Sequence, residues 1–125
     1  MLITGSDTLP RDTAELYLPS TGYSCSLPQL PDQREQHTLE SSGLMCGGFL
    51  SDTRYTCLQW SPDTGSWEEE LTLDIERSWH VSWTPDSGIG TYLIGGRDSG
   101  SERTSTLVKH DGTQEAAFPL KYDTR

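Results

Sequence analysis

The chain has 125 residues, within the range of one domain. Its 19 acidic against 9 basic residues give a formal charge of −10, which repels phosphate backbones and anionic headgroups and so excludes nucleic acid and a membrane surface as expected partners. Hydrophobic residues make up 32% and mean hydropathy is −0.61, lean for a helical domain but enough for short strands joined by polar turns.

The first predicted element is the apolar run Leu2-Ile3-Thr4, closing on Gly5 and Ser6. A second strand follows around Leu16-Tyr17-Leu18 and turns at Pro19-Ser20-Thr21-Gly22 into Tyr23. Arg34-Glu35-Gln36-His37 then leads into a central stretch with four predicted strands, His37 to Ser42, Leu44 to Gly48, Tyr55 to Trp60 and Trp67 to Leu73. Between the last two, Pro62-Asp63-Thr64-Gly65 suits a tight turn: proline presets φ, the aspartate bonds back to the chain, and glycine accepts a positive φ. Arg77-Ser78-Trp79-His80 opens a third stretch, with an apolar run Tyr92-Leu93-Ile94 closing on Gly95-Gly96, and a weaker segment Leu107 to Gly112. No amphipathic helical period competes with this pattern, and no apolar run is long enough for a membrane-spanning helix.

These elements repeat. Gly5, Gly47 and Gly95 are spaced by 42 and 48 residues, while Tyr17 and Trp60, Gly22 and Gly65, Arg34 and Arg77, and His37 and His80 are each 43 apart. Arg34 and Arg77 each follow their turn glycine by 12 residues, and Arg125 follows Gly112 by 13. Agreement of several anchors at one offset identifies a structural repeat, in which each unit buries its apolar surface against its neighbours.

A glycine doublet after an apolar strand, an aromatic-x-Pro-x-Thr-Gly turn with an aromatic beyond it, and a following Arg-x-x-His together resemble the kelch repeat. That resemblance implies an all-β fold, an incomplete β-propeller of four-stranded antiparallel blades. It divides the chain into a partial blade lacking its first strand at 1–33, a complete blade at 34–76 and a more divergent blade at 77–125. The chain is then expected to begin and end inside a propeller, with the remaining blades supplied by a longer parent. Gly5, Gly47, Gly48, Gly95 and Gly96 are expected to permit close turns, and Tyr17, Trp60 and Trp67 to pack between neighbouring sheets.

The resemblance implies a protein-interaction scaffold, not an enzyme, that binds a protein or peptide through its inter-strand loops, Phe49 to Arg54 and Arg97 to Thr104. Arg34, Arg77 and Arg125 match motif positions that rim one channel mouth and are the expected partner-binding residues, by bidentate contact with carboxylates. The alternative role for them is to tie the units together. A second functional class is a fragment of a propeller enzyme, a copper oxidase or sialidase-like hydrolase, with its catalytic residues outside this chain. No catalytic triad, phosphate-cradling loop or metalloprotease motif is present, so neither a cofactor nor a metal is expected. His37 and His80 occupy one slot of successive units, which suits hydrogen bonding better than a shared ion, and Glu68-Glu69-Glu70 reads as a charged outer edge strand.

Three cysteines, Cys25, Cys46 and Cys57, contain no tight pair of the zinc or redox type. Cys46 and Cys57 can lie opposite each other on a hairpin, either as a disulfide or as two free thiols. Together with the scarcity of lysine, this placement inclines the expected setting towards extracellular, with intracellular adaptors as the alternative.

Overall fold

A computed structural model describes residues 2–4, 11–49, 55–73, 76–86, 90–98, 100, 106–110 and 115–119. Among them there is no α-helix; the chain is all-β, with every strand pair antiparallel. Strands β1 (Leu2–Thr4), β2 (Ala14–Leu18) and β3 (Tyr23–Ser26) form a three-stranded sheet in chain order. β4 (Thr38–Leu39), β5 (Leu44–Cys46), β6 (Thr56–Ser61) and β7 (Ser66–Thr72) form the central sheet, again in chain order. β8 (Val81–Trp83), β9 (Thr91–Ile94), β10 (Thr106–His110) and β11 (Glu115–Pro119) form the third. Each sheet is thus a simple meander, the arrangement that short polar turns between consecutive strands impose.

The central strands are shorter than expected at two points, each for a backbone reason. The strand expected from His37 to Ser42 ends at Leu39, because Gly43 N–H bonds to the Glu40 carbonyl at 2.9 Å and closes a turn with Gly43 at φ 88°. β5 stops at Cys46 because Gly47 and Gly48, at φ 65° and 138°, leave the extended region. The expected turn before Trp67 is present: Gly65 N–H bonds to the Ser61 carbonyl at 2.8 Å with Gly65 at φ 65°. Gly22 makes the same bond to Leu18 at 2.9 Å, with φ 72°.

Alternation along the strands sends successive side chains to opposite faces, so the central sheet feeds two cores. Met45 and Leu58 join Ala14 of the first sheet and Leu30 of the segment that follows it, with Leu27, Leu39 and Trp67 packed around them. Leu44, Cys46, Cys57 and Leu73 join Leu93 of the third sheet on the other face. The three sheets are therefore stacked face to face, the central one covered on both sides. Its outer strand β7 is an edge, and Glu68, Glu69 and Glu70 on it are all exposed. Three carboxylates along an edge oppose pairing with another chain by repulsion and hydration.

Leu30 and Leu73, 43 apart, are a repeat anchor that the sequence pattern did not single out. Leu30 N–H bonds to the Asp12 carbonyl at 2.8 Å and Leu73 N–H to the Tyr55 carbonyl at 2.5 Å, and both leucines are buried. The signal was a lone leucine four residues before each arginine, indistinguishable in one dimension from any other strand leucine.

Cys46 and Cys57 are register partners on β5 and β6, with Cα atoms 4.1 Å apart and sulfurs at the bonding distance of 2.08 Å. The pair is buried in the core between the central and third sheets. Closing so short a loop restricts the unfolded chain by about 3 kcal/mol. Cys25 is free and exposed.

Candidate functional site

The residues singled out by the repeat converge at the corners where the chain enters the central and third sheets. The first corner is Arg34-Glu35-Gln36-His37 and the second Arg77-Ser78-Trp79-His80. Gln36 and Trp79, at equivalent positions, are the described non-glycine residues with positive φ, 58° and 56°. A left-handed residue here costs about 1–2 kcal/mol, and the reversal lets each corner meet the next chain with its backbone. Trp79 N–H bonds to the Gln36 carbonyl at 3.1 Å, linking the two corners directly.

Each corner is fastened to the end of its own glycine strand by the same bonds. Phe49 N–H donates to the Glu35 carbonyl at 2.9 Å, and Arg97 N–H to the Ser78 carbonyl at 2.8 Å. Arg34 Nη1 donates to the Gly47 carbonyl at 3.1 Å, and Arg77 Nη1 to the Gly95 carbonyl at 2.6 Å. Gly48 N–H reaches forward to the Arg77 carbonyl at 3.0 Å and so ties the central sheet to the second corner.

The glycine doublets are explained by this closeness. A Cβ on Gly47 would lie 2.3 Å from the Arg77 carbonyl oxygen and 2.8 Å from His80 Cε1. One on Gly96 would lie 2.6 Å from the Ser78 carbonyl oxygen. Only glycine allows the backbone approach that the corner bonds require.

Both arginines are fully buried. Arg34 has five N–H donors and five partners: Nε and Nη2 fork onto Asp32 Oδ1 and Oδ2 at 2.6 and 3.0 Å, Nη1 reaches Gly47 O and Thr56 O at 3.1 and 2.8 Å, and Nη2 also bonds Thr56 Oγ1. A guanidinium so enclosed has no donor left for a carboxylate of a partner. Solvent exclusion and bonds to backbone carbonyls hold both Arg34 and Arg77 inside the frame, in line with the alternative role of tying the units together. Arg125 and Gly5 lie outside the described residues, as do most of the two loops expected to project, at 50–54, 99 and 101–104.

The histidines bridge sheets. His37 Nε2 and Thr4 Oγ1 share a hydrogen bond of 2.8 Å, joining the first corner to β1, and His80 Nε2 and Thr38 Oγ1 share one of 2.8 Å, joining the second corner to β4. Nδ1 of each ring is buried without a partner. An unpartnered lone pair costs less than an unpartnered N–H, which favours the tautomer that carries its proton on Nε2 and donates it to the threonine. Protonation would place a second N–H against no acceptor, close to a buried arginine. Burial first, and the Arg34 charge second, push the His37 pKa down to about 4; burial, then Arg77, then His37 push that of His80 down to about 3. Both rings are neutral links at pH 7. Among the described residues no group of three or more His, Cys, Asp or Glu side chains is arranged to hold a metal ion.

The aromatic anchors behave unequally. Trp67 packs into the core shared with the first sheet, and its Nε1 donates to the Pro28 carbonyl at 3.2 Å. Trp60 lies against Trp67 with ring centroids 5.3 Å apart but stays half-buried, because it also borders an open groove. Tyr17 is half-buried on the first sheet. That groove, of about 650 Å³, runs between the first and central sheets, and sequence reasoning missed it because its walls come from segments far apart in the chain.

No protein-family model matches the chain, and no curated protein is significantly similar to it.

Proposed function

We propose that the chain is a run of kelch-type propeller blades serving as a protein-interaction scaffold. The observation that carries this reading is the pair of corners. Backbone bonds, a buried arginine and a bridging histidine recur 43 to 48 residues apart, as expected of a rigid repetitive frame. None of these groups is left open for chemistry, so recognition falls to the segments that the frame projects. Phe49 and Tyr55, on either side of the 50–54 loop, are both exposed, as the flanks of a recognition loop would be.

A peptide library displayed on phage and panned against the immobilised chain tests this reading. Enrichment of related sequences whose binding is lost on substitution of Phe49 or Tyr55 by Ser, while Arg34→Lys leaves it unchanged in the folded fraction, is the expected result. Failure to enrich any sequence, or stoichiometric copper or glycosidase turnover in the purified chain, would overturn it.

A further inference from the structure

The groove between the first and central sheets has a wall of Leu16 and Leu39, Trp60 with Pro62 beside it, and a rim formed by the turn 40–43. Its floor is set by Gly43, where an added Cβ would lie 3.1 Å from both Gln59 Nε2 and Trp60 Cβ; the positive φ of 88° lets the turn run close to the tryptophan. Among the described residues of the lining, Glu40 is the one that carries a charge. The turn itself is held by backbone bonds, with Glu40 N–H on the Leu44 carbonyl at 2.8 Å and Trp60 N–H on the Gly43 carbonyl at 3.1 Å. The groove is therefore built, apolar along its length and negative at one point, on a chain of net charge −10.

We propose that this groove binds a basic side chain, lysine or arginine, from a partner peptide. A long methylene stem fits the Leu16, Leu39 and Pro62 surface, while the cationic head sits against the Trp60 ring and the Glu40 carboxylate. The complementarity is specific in sign: an acidic residue meets Glu40 and the field of the whole chain, and a purely apolar one leaves a half-buried carboxylate uncompensated. The inference rests on the interaction reading, to which it adds a site and a chemistry.

The probes are acetyl-Leu-Lys-Leu-amide and its neutral counterpart with norleucine for lysine, titrated against the full chain by NMR. The lysine peptide is expected to bind about fivefold to tenfold more tightly than the norleucine peptide, the scale of one cation–π contact plus one part-exposed ion pair. Glu40→Gln removes that preference. Glu69→Gln, on the exposed outer edge, keeps it, and Leu16→Lys, which supplies a cation at an exposed groove position, suppresses binding of both peptides. Equal affinity of the two peptides, equal loss in Glu40→Gln and Glu69→Gln, or no saturation by either peptide would each overturn the proposal. Phage-selected peptides that bind without a basic residue and ignore Glu40→Gln would overturn the groove but leave the scaffold reading standing. Groove binding of the lysine probe without enrichment of any longer peptide would do the reverse.

Discussion

The two corners differ in one respect that separates what the repeat must keep from what it can let go. Both arginines are fully buried and both bond the carbonyl of the glycine that follows their sheet's second strand, Gly47 after β5 and Gly95 after β9. Arg34 also forks onto Asp32, two residues upstream, whereas Ile75 stands at the matching position before Arg77. The bond to the glycine carbonyl recurs at both corners, whereas the residue type two places upstream of the arginine does not. A carbonyl is present at every position whatever the residue, so bonds to it survive divergence, while a carboxylate has to be retained by its own codon.

The comparison can be broken most severely at Arg34. Arg34→Ala removes a guanidinium whose departure strands Asp32, Gly47 O and Thr56 O, and is expected to cost about 3–5 kcal/mol. Arg77→Ala strands the Gly95 carbonyl and is likewise expected to destabilise the fold, and urea denaturation of the two variants measures both costs. Opening Cys46–Cys57, by Cys46→Ala with Cys57→Ala, is expected to lower stability by about 3 kcal/mol, while Cys25→Ser leaves the midpoint within error. Thiol labelling under denaturing conditions should count one free cysteine in the parent chain.

Glycine substitutions sharpen the same contrast. Gly47→Ala meets a carbonyl oxygen at 2.3 Å and is expected to cost about 2–4 kcal/mol, whereas Gly65→Ala, with nothing within 4 Å, pays only for its positive φ, about 1 kcal/mol. The bridging histidines add a pH dependence to the stability. Their folded pKa values, about 4 and about 3, lie below the ordinary value of 6.5, so the unfolded chain takes up protons first. Stability should be flat above pH 6.5 and fall as the pH drops below it, by about 1–2 kcal/mol per histidine at pH 5. Denaturation midpoints from pH 7 to pH 5 measure the slope, and His80→Gln should reduce it.

Much of the frame was legible in one dimension. The Gly-Gly doublets, the Asp63-Thr64-Gly65 turn and the 43-residue spacing of Arg34 with Arg77 are local, and turn chemistry and repetition are written in residue types. The opposition of Cys46 and Cys57 followed from strand alternation across a hairpin. The role of the arginines did not follow, because burial depends on what a distant segment places over a side chain: the motif position fitted a rim equally well, and only the Gly47 and Thr56 carbonyls decided it. The left-handed Gln36 and Trp79 were hidden for a related reason, since neither residue type favours positive φ and the corner bonds impose it.

By itself, the sequence determined that the chain is a repeat of short antiparallel strands, where its tight turns fall and which positions recur, since periodicity and φ preference are properties of neighbouring residues. Tertiary structure alone decided that Arg34 and Arg77 face inward, that His37 and His80 bridge one sheet to the next, and that Leu16 and Trp60 leave a groove between them. Those outcomes depend on which atoms meet across gaps of tens of residues, and desolvation and hydrogen-bond satisfaction, which choose among them, act only once the sheets have stacked.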